Sequence, residues 1–277
     1  MKARRKELRL IAPVIIAFFL AMPARADSLA RAYRTLAAHQ YVDLTHTFGP
    51  QTPVWSGFGQ AKMSPATNPE TGEPYTITKD GFHTTFYQMV GQYGTHVDPP
   101  AHFAENAMTM DKISLKEMIL PLVCVDVHEE CEKNPDYTLT VDRLEKWEAD
   151  HGTIPVGAFV AMRTDWSKRW PDAARMANKD KQGIAHYPGW SLPALKYLYE
   201  ERKITASGHE TTDTDPGLAT TKDDYSLEAY ILGINHYQIE LLTNLDQVPE
   251  SGAIVVVSFP KPKGGSGFPA RVFAILP

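Results

Sequence analysis

Short apolar segments constrain the fold of this chain more than any other feature of its sequence. Four of them are rich in valine, isoleucine and phenylalanine and predict β-strands at residues 120–127, 157–163, 253–259 and 271–276. Alternation of residue types predicts another strand at 83–92. Helical periodicity occurs at 28–38, at 140–150, from Ser191 onward and at 226–234. Strands and helices therefore mix without a regular βαβ rhythm, which predicts an α/β fold on a mixed sheet.

The N-terminus has the composition of a secretory signal peptide. Basic residues at positions 2–9 precede an apolar run at 10–22, which is too short for a comfortable membrane span. Ala24, Arg25 and Ala26 form an A-x-A cleavage pattern. We expect cleavage after Ala26 and export to the periplasm or the medium, and an uncleaved anchor is the alternative. Residues 27–277 are then expected to form a single domain around one core.

Removal of this leader makes the charge balance strongly acidic. The whole chain has 28 basic and 33 acidic residues, a net charge of −5. The leader contains six basic residues and one acidic residue, so 22 basic and 32 acidic residues remain, a net charge of −10. Nucleic acids and anionic lipids are poor partners for such a surface, and no membrane association is expected after cleavage. A small molecule is the expected partner.

Several common site types have no support in the sequence. It contains no phosphate-binding glycine loop that precedes a helix, and no G-x-S-x-G nucleophile elbow. Two cysteines, Cys124 and Cys131, are compatible with either a disulfide or two buried thiols. They are not expected to bind a metal, because no partner ligands lie near them in the sequence.

The segment GQYGTHVDPPAHF, residues 91–103, has the residue types of a metal site. In an extended segment, residues two apart share a face, so His96 and Asp98 are predicted to point the same way, with Gln92 on the same parity. Pro99 and Pro100 stiffen the chain before His102. Such a loop would present two metal ligands and a general base. Hydrogen-bonded loop residues without a metal are the alternative at this point.

The string G-T-H-x-D-x-P-x-H at residues 94–102 resembles the signature of the cyclase family, which includes bacterial kynurenine formamidase and isatin hydrolase. Similar flanking segments follow in order: DLTH at 43–46, PVW at 53–55, RTDW at 163–166, GHETTDTD at 208–215, and the tail segments 244–252 and 269–272. The resemblance implies a swivelling β/β/α fold, a homodimer or higher oligomer, and a hydrolase that uses one or two divalent metals.

The resemblance also assigns roles to individual residues. His96, Asp98 and Glu240 match metal ligands, and His102 matches the acid/base beside the metal. Two matching positions depart from the family pattern, because Gln92 and Glu228 stand where it has histidines. Both remain candidate ligands, and both would offer oxygen in place of nitrogen. Such a ligand set favours Mn²⁺ or Mg²⁺ over Zn²⁺, although Zn²⁺ stays possible.

One further catalytic candidate is His209, which would either stabilise an oxyanion or hydrogen-bond to a ligand residue; a buried histidine that orients its loop is the alternative. Trp55, Phe58, Phe82 and Trp166 are candidates for stacking on a planar substrate, or simply pack. The expected reaction is hydrolysis of a small cyclic or aryl amide by metal-activated water. A lactone hydrolase of the same family and a non-catalytic periplasmic binding protein are the alternatives.

Overall fold

The structure is a computed structural model that describes residues 24–277. The chain divides into two compact units, Met1–His39 and Gln40–Pro277. In the first unit the described part is helix α1 (Ala24–Ala38) and His39. Most of the predicted signal peptide lies outside the described residues. No helix within residues 24–277 has both the length and the apolar character that crossing a bilayer requires.

The second unit contains the remaining elements. Its strands are β1 (Tyr41–Asp43), β2 (Lys62–Pro65), β3 (Thr85–Gln88), β4 (His96–Asp98), β5 (Ile119–Asp126), β6 (Phe159–Arg163), β7 (Ala206–His209), β8 (Tyr237–Glu240), β9 (Ala253–Ser258), β10 (Phe268–Pro269) and β11 (Arg271–Ile275). Its helices are α2 (Ile77–Asp80), α3 (His128–Lys133), α4 (Val141–His151), α5 (Ala173–Ala177), α6 (Leu192–Lys196), α7 (Gly217–Thr220) and α8 (Ser226–Gly233). Single 3₁₀ turns include Pro100–His102, and a π-helical turn, Tyr197–Glu201, extends α6.

Nine strands form one mixed sheet in the order β1-β11-β9-β5-β6-β7-β8-β4-β10. Strands β5, β6, β7 and β8 are parallel neighbours, and the other pairs are antiparallel. Strands β2 and β3 form a separate antiparallel pair. The predicted α/β fold on a mixed sheet in a single domain is confirmed.

The central strands bury both faces, which explains their continuous apolar sequences. One face packs into a core that β9 and β11 also enclose, with Leu122, Phe159 and Ile239 at its centre. The opposite face packs under helices α4, α6 and α8 through residues such as Val160 and Trp147. Cys124 belongs to the first core and Cys131 to the second, and both are buried free thiols.

Local sequence signals explain where the helices begin and end. The Thr140 hydroxyl accepts a hydrogen bond from the Arg143 amide at the start of α4, and Gly152 ends that helix at φ 87°. Ser191 caps α6 in the same way through the Ala194 amide. These caps lie at the boundaries of two segments predicted to be helical, and α4 and α6 cover the second face of the sheet.

Candidate metal centre and active site

The helix-facing side of three neighbouring strands carries a row of polar residues. Strands β7, β8 and β4 lie side by side, and alternate residues on each point toward the helices. In register, His96 of β4 pairs with Glu240 of β8, and Asp98 pairs with Gln238. The residues between them, such as Val97 and Ile239, belong to the apolar core on the other face. The polar row comprises Ser207, His209, Gln238, Glu240, His96 and Asp98, all buried.

Three side chains of this row converge on one point. The His96 Nε2 atom lies 3.3 Å from Asp98 Oδ2 and 3.5 Å from Glu240 Oε2. The His96 Nδ1 atom is 2.8 Å from the Gly94 carbonyl, which can only accept, so Nδ1 carries the hydrogen. In the neutral ring, the Nε2 lone pair therefore faces two carboxylate oxygens. Asp98 Oδ2 accepts no hydrogen bond from any described residue. This set of donor atoms fits a divalent metal ion.

The charges around this point strengthen the case for a cation. Burial raises the pKa of Glu240 and of Glu228 well above the ordinary value, and the neighbouring carboxylates raise it further. Burial opposes the charge on His96, but the adjacent Asp98 outweighs it and raises the His96 pKa. Within residues 24–277, no lysine or arginine lines the adjoining cavity. No lysine or arginine in this part of the chain therefore balances the acidic cluster at the cavity, and a bound metal would supply positive charge.

A second group of polar atoms meets on the other side of Asp98. The His102 Nε2 atom lies 3.9 Å from Asp98 Oδ1 and 4.0 Å from Glu228 Oε1. Pro99 precedes the 3₁₀ turn that carries His102, whereas helix α8 carries Glu228. Burial lowers the pKa of His102, so its imidazole is neutral at neutral pH. A neutral imidazole in this position can accept a proton.

Gln92 also contacts the Asp98 carboxylate. Its Nε2 atom donates to Asp98 Oδ1 at 3.2 Å and to the Ser266 carbonyl at 2.6 Å. The sequence argument that placed Gln92 on the His96 face assumed an unbroken extended segment. That assumption is wrong, because Gly94 between them has φ 65°, where the chain turns. Gln92 lines the cavity nevertheless.

His209 lies behind Glu240 and does not line the cavity. The Trp190 Nε1 hydrogen points at His209 Nδ1 at 3.2 Å, so Nδ1 must accept and Nε2 carries the hydrogen. That Nε2 atom is 3.4 Å from Glu240 Oε1. Burial lowers the pKa of His209 to about 3, so the ring is neutral. This position brings His209 to Glu240 and leaves it without access to a substrate.

Sequence reasoning missed Gln238, which is wholly buried beside Glu240. Its Nε2 atom donates to Glu240 Oε1 at 3.1 Å, and its Oε1 atom accepts from the Thr214 hydroxyl. Glu240 Oε1 therefore receives a donor, while Oε2 faces His96. The alternation Y-Q-I-E of β8 would have identified Gln238, because residues 238 and 240 share a face.

A cavity of about 270 Å³ opens above these groups. Its walls are mainly apolar and include Trp55, Phe58, Phe103 and Tyr225. The Trp55 indole nitrogen donates to the Tyr225 hydroxyl at 3.1 Å, and the Trp55 and Phe58 rings meet edge-on at 5.0 Å. The predicted stacking candidates Phe82 and Trp166 do not line it. An apolar aromatic cavity over a polar floor suits a small planar ligand.

Another buried carboxylate nearby has a complete set of hydrogen bonds. Glu210 Oε2 accepts from the Thr164 amide at 2.6 Å and from the Thr164 hydroxyl at 2.9 Å. Glu210 Oε1 accepts from the Ser167 hydroxyl at 2.5 Å. These bonds tie the loop after β6 to the end of β7. Glu210 is therefore satisfied within the protein and is not a candidate ligand.

Comparison with known proteins adds independent information. The sequence model of the cyclase family matches residues 42–216. An isatin hydrolase of Roseibium aggregatum is 33% identical over 249 residues, which cover 86% of this chain and 92% of that protein. The structure of isatin hydrolase A from Ralstonia solanacearum is 34% identical with a TM-score of 0.79, covering 93% of this chain and 99% of its own. An isatin hydrolase solved with the product analogue thioisatinate is 29% identical with a TM-score of 0.81, covering 92% of this chain and 100% of its own.

Proposed function

This chain belongs to the cyclase family, as its motifs predict, and we propose that it is a metal-dependent hydrolase of a small cyclic or aryl amide. One observation carries the proposal: the donor atoms of His96, Asp98 and Glu240 converge beneath an aromatic cavity. The similarity to isatin hydrolases supports the same chemistry. Isatin, a planar bicyclic compound with a ring amide, represents the substrate class.

We assign the metal to His96, Asp98 and Glu240. A divalent ion held there supplies a water of lowered pKa and polarises the carbonyl group of the substrate. Its ligands are one imidazole nitrogen and carboxylate oxygens, which suit Mn²⁺ better than Zn²⁺. Glu228 stays a candidate ligand, since its carboxylate meets Asp98 Oδ1 and His102 in the second group of donor atoms.

We assign proton transfer to His102. Its neutral imidazole lies at the cavity wall, within 4 Å of Asp98 Oδ1 and Glu228 Oε1. In hydrolysis, water adds to the amide carbonyl carbon, the C–N bond breaks, and the departing nitrogen takes a proton. His102 can accept the proton of the water and return it to this nitrogen. Asp98 Oδ1 lies beside His102, and Asp98 Oδ2 lies beside His96 at the metal position.

His209 and Gln238 support this arrangement from behind. Gln238 donates a hydrogen bond to Glu240 Oε1, and the His209 Nε2 atom lies 3.4 Å from the same oxygen, which leaves Oε2 toward His96. Of the two roles considered for His209, we propose the contact with a ligand residue. Oxyanion stabilisation would require access to the cavity, and His209 is wholly buried. Trp190 fixes its tautomer.

The substrate class follows from the cavity walls. Trp55, Phe58, Phe103 and Tyr225 offer ring faces and edges to a planar molecule, and the volume of about 270 Å³ suits one small bicyclic compound. The polar groups lie at the floor, where an amide carbonyl would meet the metal position. An aromatic ring fused or bonded to the amide would then lie against the apolar walls.

A direct test uses the purified chain without its leader. We expect elemental analysis to find bound divalent metal, and isatin to be ring-opened faster with Mn²⁺ than with Zn²⁺. N-Formylkynurenine, cyclic imides and lactones serve as competing substrates. Preferred turnover of lactones would replace the amide proposal by the lactone alternative. Absence of both metal and turnover would contradict the enzyme proposal and favour the binding protein.

We also propose that the mature protein is periplasmic or secreted and forms a homodimer or higher homo-oligomer. The basic, apolar and A-x-A segments of the leader support export. The strand pair β2–β3 supports assembly, because Phe86 and Tyr87 on its two faces are more than half exposed. Cell fractionation and light scattering of the purified chain test these two expectations separately.

A further inference from the structure

We propose that Gln92 is a positioning residue for Asp98 and acts through its amide nitrogen, outside the set of metal ligands. This inference rests on the metal site of the proposed function. It replaces the expectation that the Gln92 oxygen coordinates the metal. Residue 92 would then support a metal ligand in this chain, whereas the histidine of the family pattern at this position is itself a ligand.

The orientation of the Gln92 amide follows from its partners. The Ser266 carbonyl oxygen, 2.6 Å from Nε2, can only accept a hydrogen bond. Exchanging the nitrogen and oxygen of the amide would place two acceptors in contact at that distance. The nitrogen must therefore face Ser266, and its second hydrogen points to Asp98 Oδ1 at 3.2 Å. Both donor hydrogens of the amide are thus in use.

Two glycines allow the backbone to pack closely around the Gln92 amide. A Cβ atom on Gly267 would lie 1.9 Å from Gln92 Nε2, and one on Gly91 would lie 2.2 Å from the Gly267 carbonyl oxygen. Ser266 and Gly267 directly precede β10, which pairs with β4 through Phe268 and Val97. The segment that holds the amide is therefore anchored to the strand that carries His96 and Asp98.

The hydrogen bonds divide the two oxygens of Asp98 between two tasks. Oδ1 accepts from Gln92, whereas Oδ2 has no partner among the described residues and faces His96. A donor on one oxygen fixes the rotation of the carboxylate and directs the other oxygen to the metal position. Loss of such a supporting partner typically weakens metal affinity by about 10–100-fold.

Substitution of Gln92 by glutamate distinguishes a metal-ligand role from a hydrogen-bond-donor role, because the two roles predict opposite changes in Mn²⁺ affinity. If the side-chain oxygen were a ligand, Q92E would bind Mn²⁺ as tightly as the wild type or more tightly. In the donor role, Q92E loses both hydrogen bonds and sets a carboxylate against Asp98, so Mn²⁺ affinity should fall by more than about tenfold. Competition with a chelating dye measures the affinity of the metal alone. Retained or increased affinity in Q92E would overturn the proposal.

A second pair of variants tests the contact with Gly267. G267A should displace the Gln92 amide and weaken Mn²⁺ binding by about tenfold. G264A is the matched control, because Gly264 lies in the same segment with φ 71° but has open space at its Cβ position. In a Q92A background, G267A should have no further effect on affinity. Additive losses in the double variant would contradict action through Gln92.

Failure of the inference and failure of the proposed function give different results. A wild-type chain that binds no Mn²⁺ or Zn²⁺ contradicts the metal site itself. A wild-type chain that binds Mn²⁺ while Q92E binds it equally well contradicts only the role of Gln92. The variant Q92M, which keeps the side-chain length but has no donor, should weaken binding by about tenfold and covers the case that Q92E does not fold.

Discussion

Two groups of buried residues lie at the ends of neighbouring strands, one around Glu210 and the other around Glu240 and Asp98, and they differ in how their carboxylate oxygens are satisfied. Glu210 accepts three hydrogen bonds from Thr164 and Ser167, so neutral donors complete its environment. Glu240 and Asp98 each accept a donor on one oxygen, whereas their other oxygens face the His96 nitrogen. The first cluster is complete within the protein, and the second is incomplete.

This difference shows which buried acid indicates a metal. Burial raises the pKa of both Glu210 and Glu240, so neither burial nor a perturbed pKa distinguishes them. The neighbouring Asp98 Oδ2 atom does, because it is buried without a hydrogen-bond partner among the described residues, and such an atom costs free energy unless something binds there. Glu210 joins the loop after β6 to the end of β7, and the group around Glu240 and Asp98 is the candidate binding site.

The largest expected effect separates the clusters by activity. E240Q keeps the volume of the side chain but removes one negative charge from the metal position. Metal affinity and amide hydrolysis should each fall by more than about a hundredfold, since even supporting partners change affinity by about 10–100-fold. The metal-free variant should unfold in urea at the same concentration as metal-free wild type. Full activity of E240Q would show that Glu240 is not a ligand.

A substitution of Glu210 should lower stability and leave metal affinity unchanged. E210A leaves the Thr164 amide and the Ser167 hydroxyl buried without their acceptor, which should lower the free energy of unfolding by about 3 kcal/mol. Urea denaturation measures this loss, and Mn²⁺ titration of the folded variant should match wild type. Reduced Mn²⁺ affinity at unchanged stability would reverse the assignment of the two clusters.

Removal of the metal tests the incomplete cluster in the wild type. An ion present at a hundredfold excess over its dissociation constant stabilises the folded state by about 2.7 kcal/mol. A chelator should therefore lower the melting temperature of the wild type and of E210A, and leave that of E240Q unchanged. A chelator effect on E240Q as large as that on wild type would place the ion elsewhere.

A third acid, the partly buried Glu148, extends the comparison and has the smallest expected effect. Hydrogen bonds from Arg202 and then Tyr197 lower its pKa to about 2, against 4.5 for the free side chain. A lowered pKa stabilises the fold above about pH 4.5, and this stabilisation is lost as the pH falls toward 2. E148Q should remove on the order of 2 kcal/mol of that dependence. Urea midpoints measured between pH 6 and pH 3 would test this.

The sequence predicted much of the fold because long apolar runs have few alternatives. Strands β5, β6, β9 and β11 lie within two residues of their predicted bounds. Strands β7 and β8 were not predicted, since each has four residues and half of them are polar. Those polar residues belong to the row that contains His96 and Asp98, so each strand lacks the continuous apolar run by which β5 and β6 were predicted.

The candidate site was predictable where local chemistry determined it. His96 and Asp98 share a face of β4, as an extended segment requires, and the distant Glu240 came only from resemblance to the family. The partner of Gln92 was not predictable, because it depends on the Ser266 carbonyl, 174 residues away in the chain. Trp190 was missed for a similar reason, and Gln238 was missed because strand β8 itself was not predicted.

The register of β4 against β8 has a consequence for how the protein matures. His96 and Glu240 are far apart in sequence and meet only when a strand from the first half of the chain docks on one from the last quarter. A slip of one residue would turn Val97 toward the helices and bury His96 in the apolar core. A metal held by His96 and Glu240 would therefore stabilise the correctly paired sheet over misaligned ones. Availability of the ion during folding should govern the yield of native protein as well as the activity of the finished enzyme.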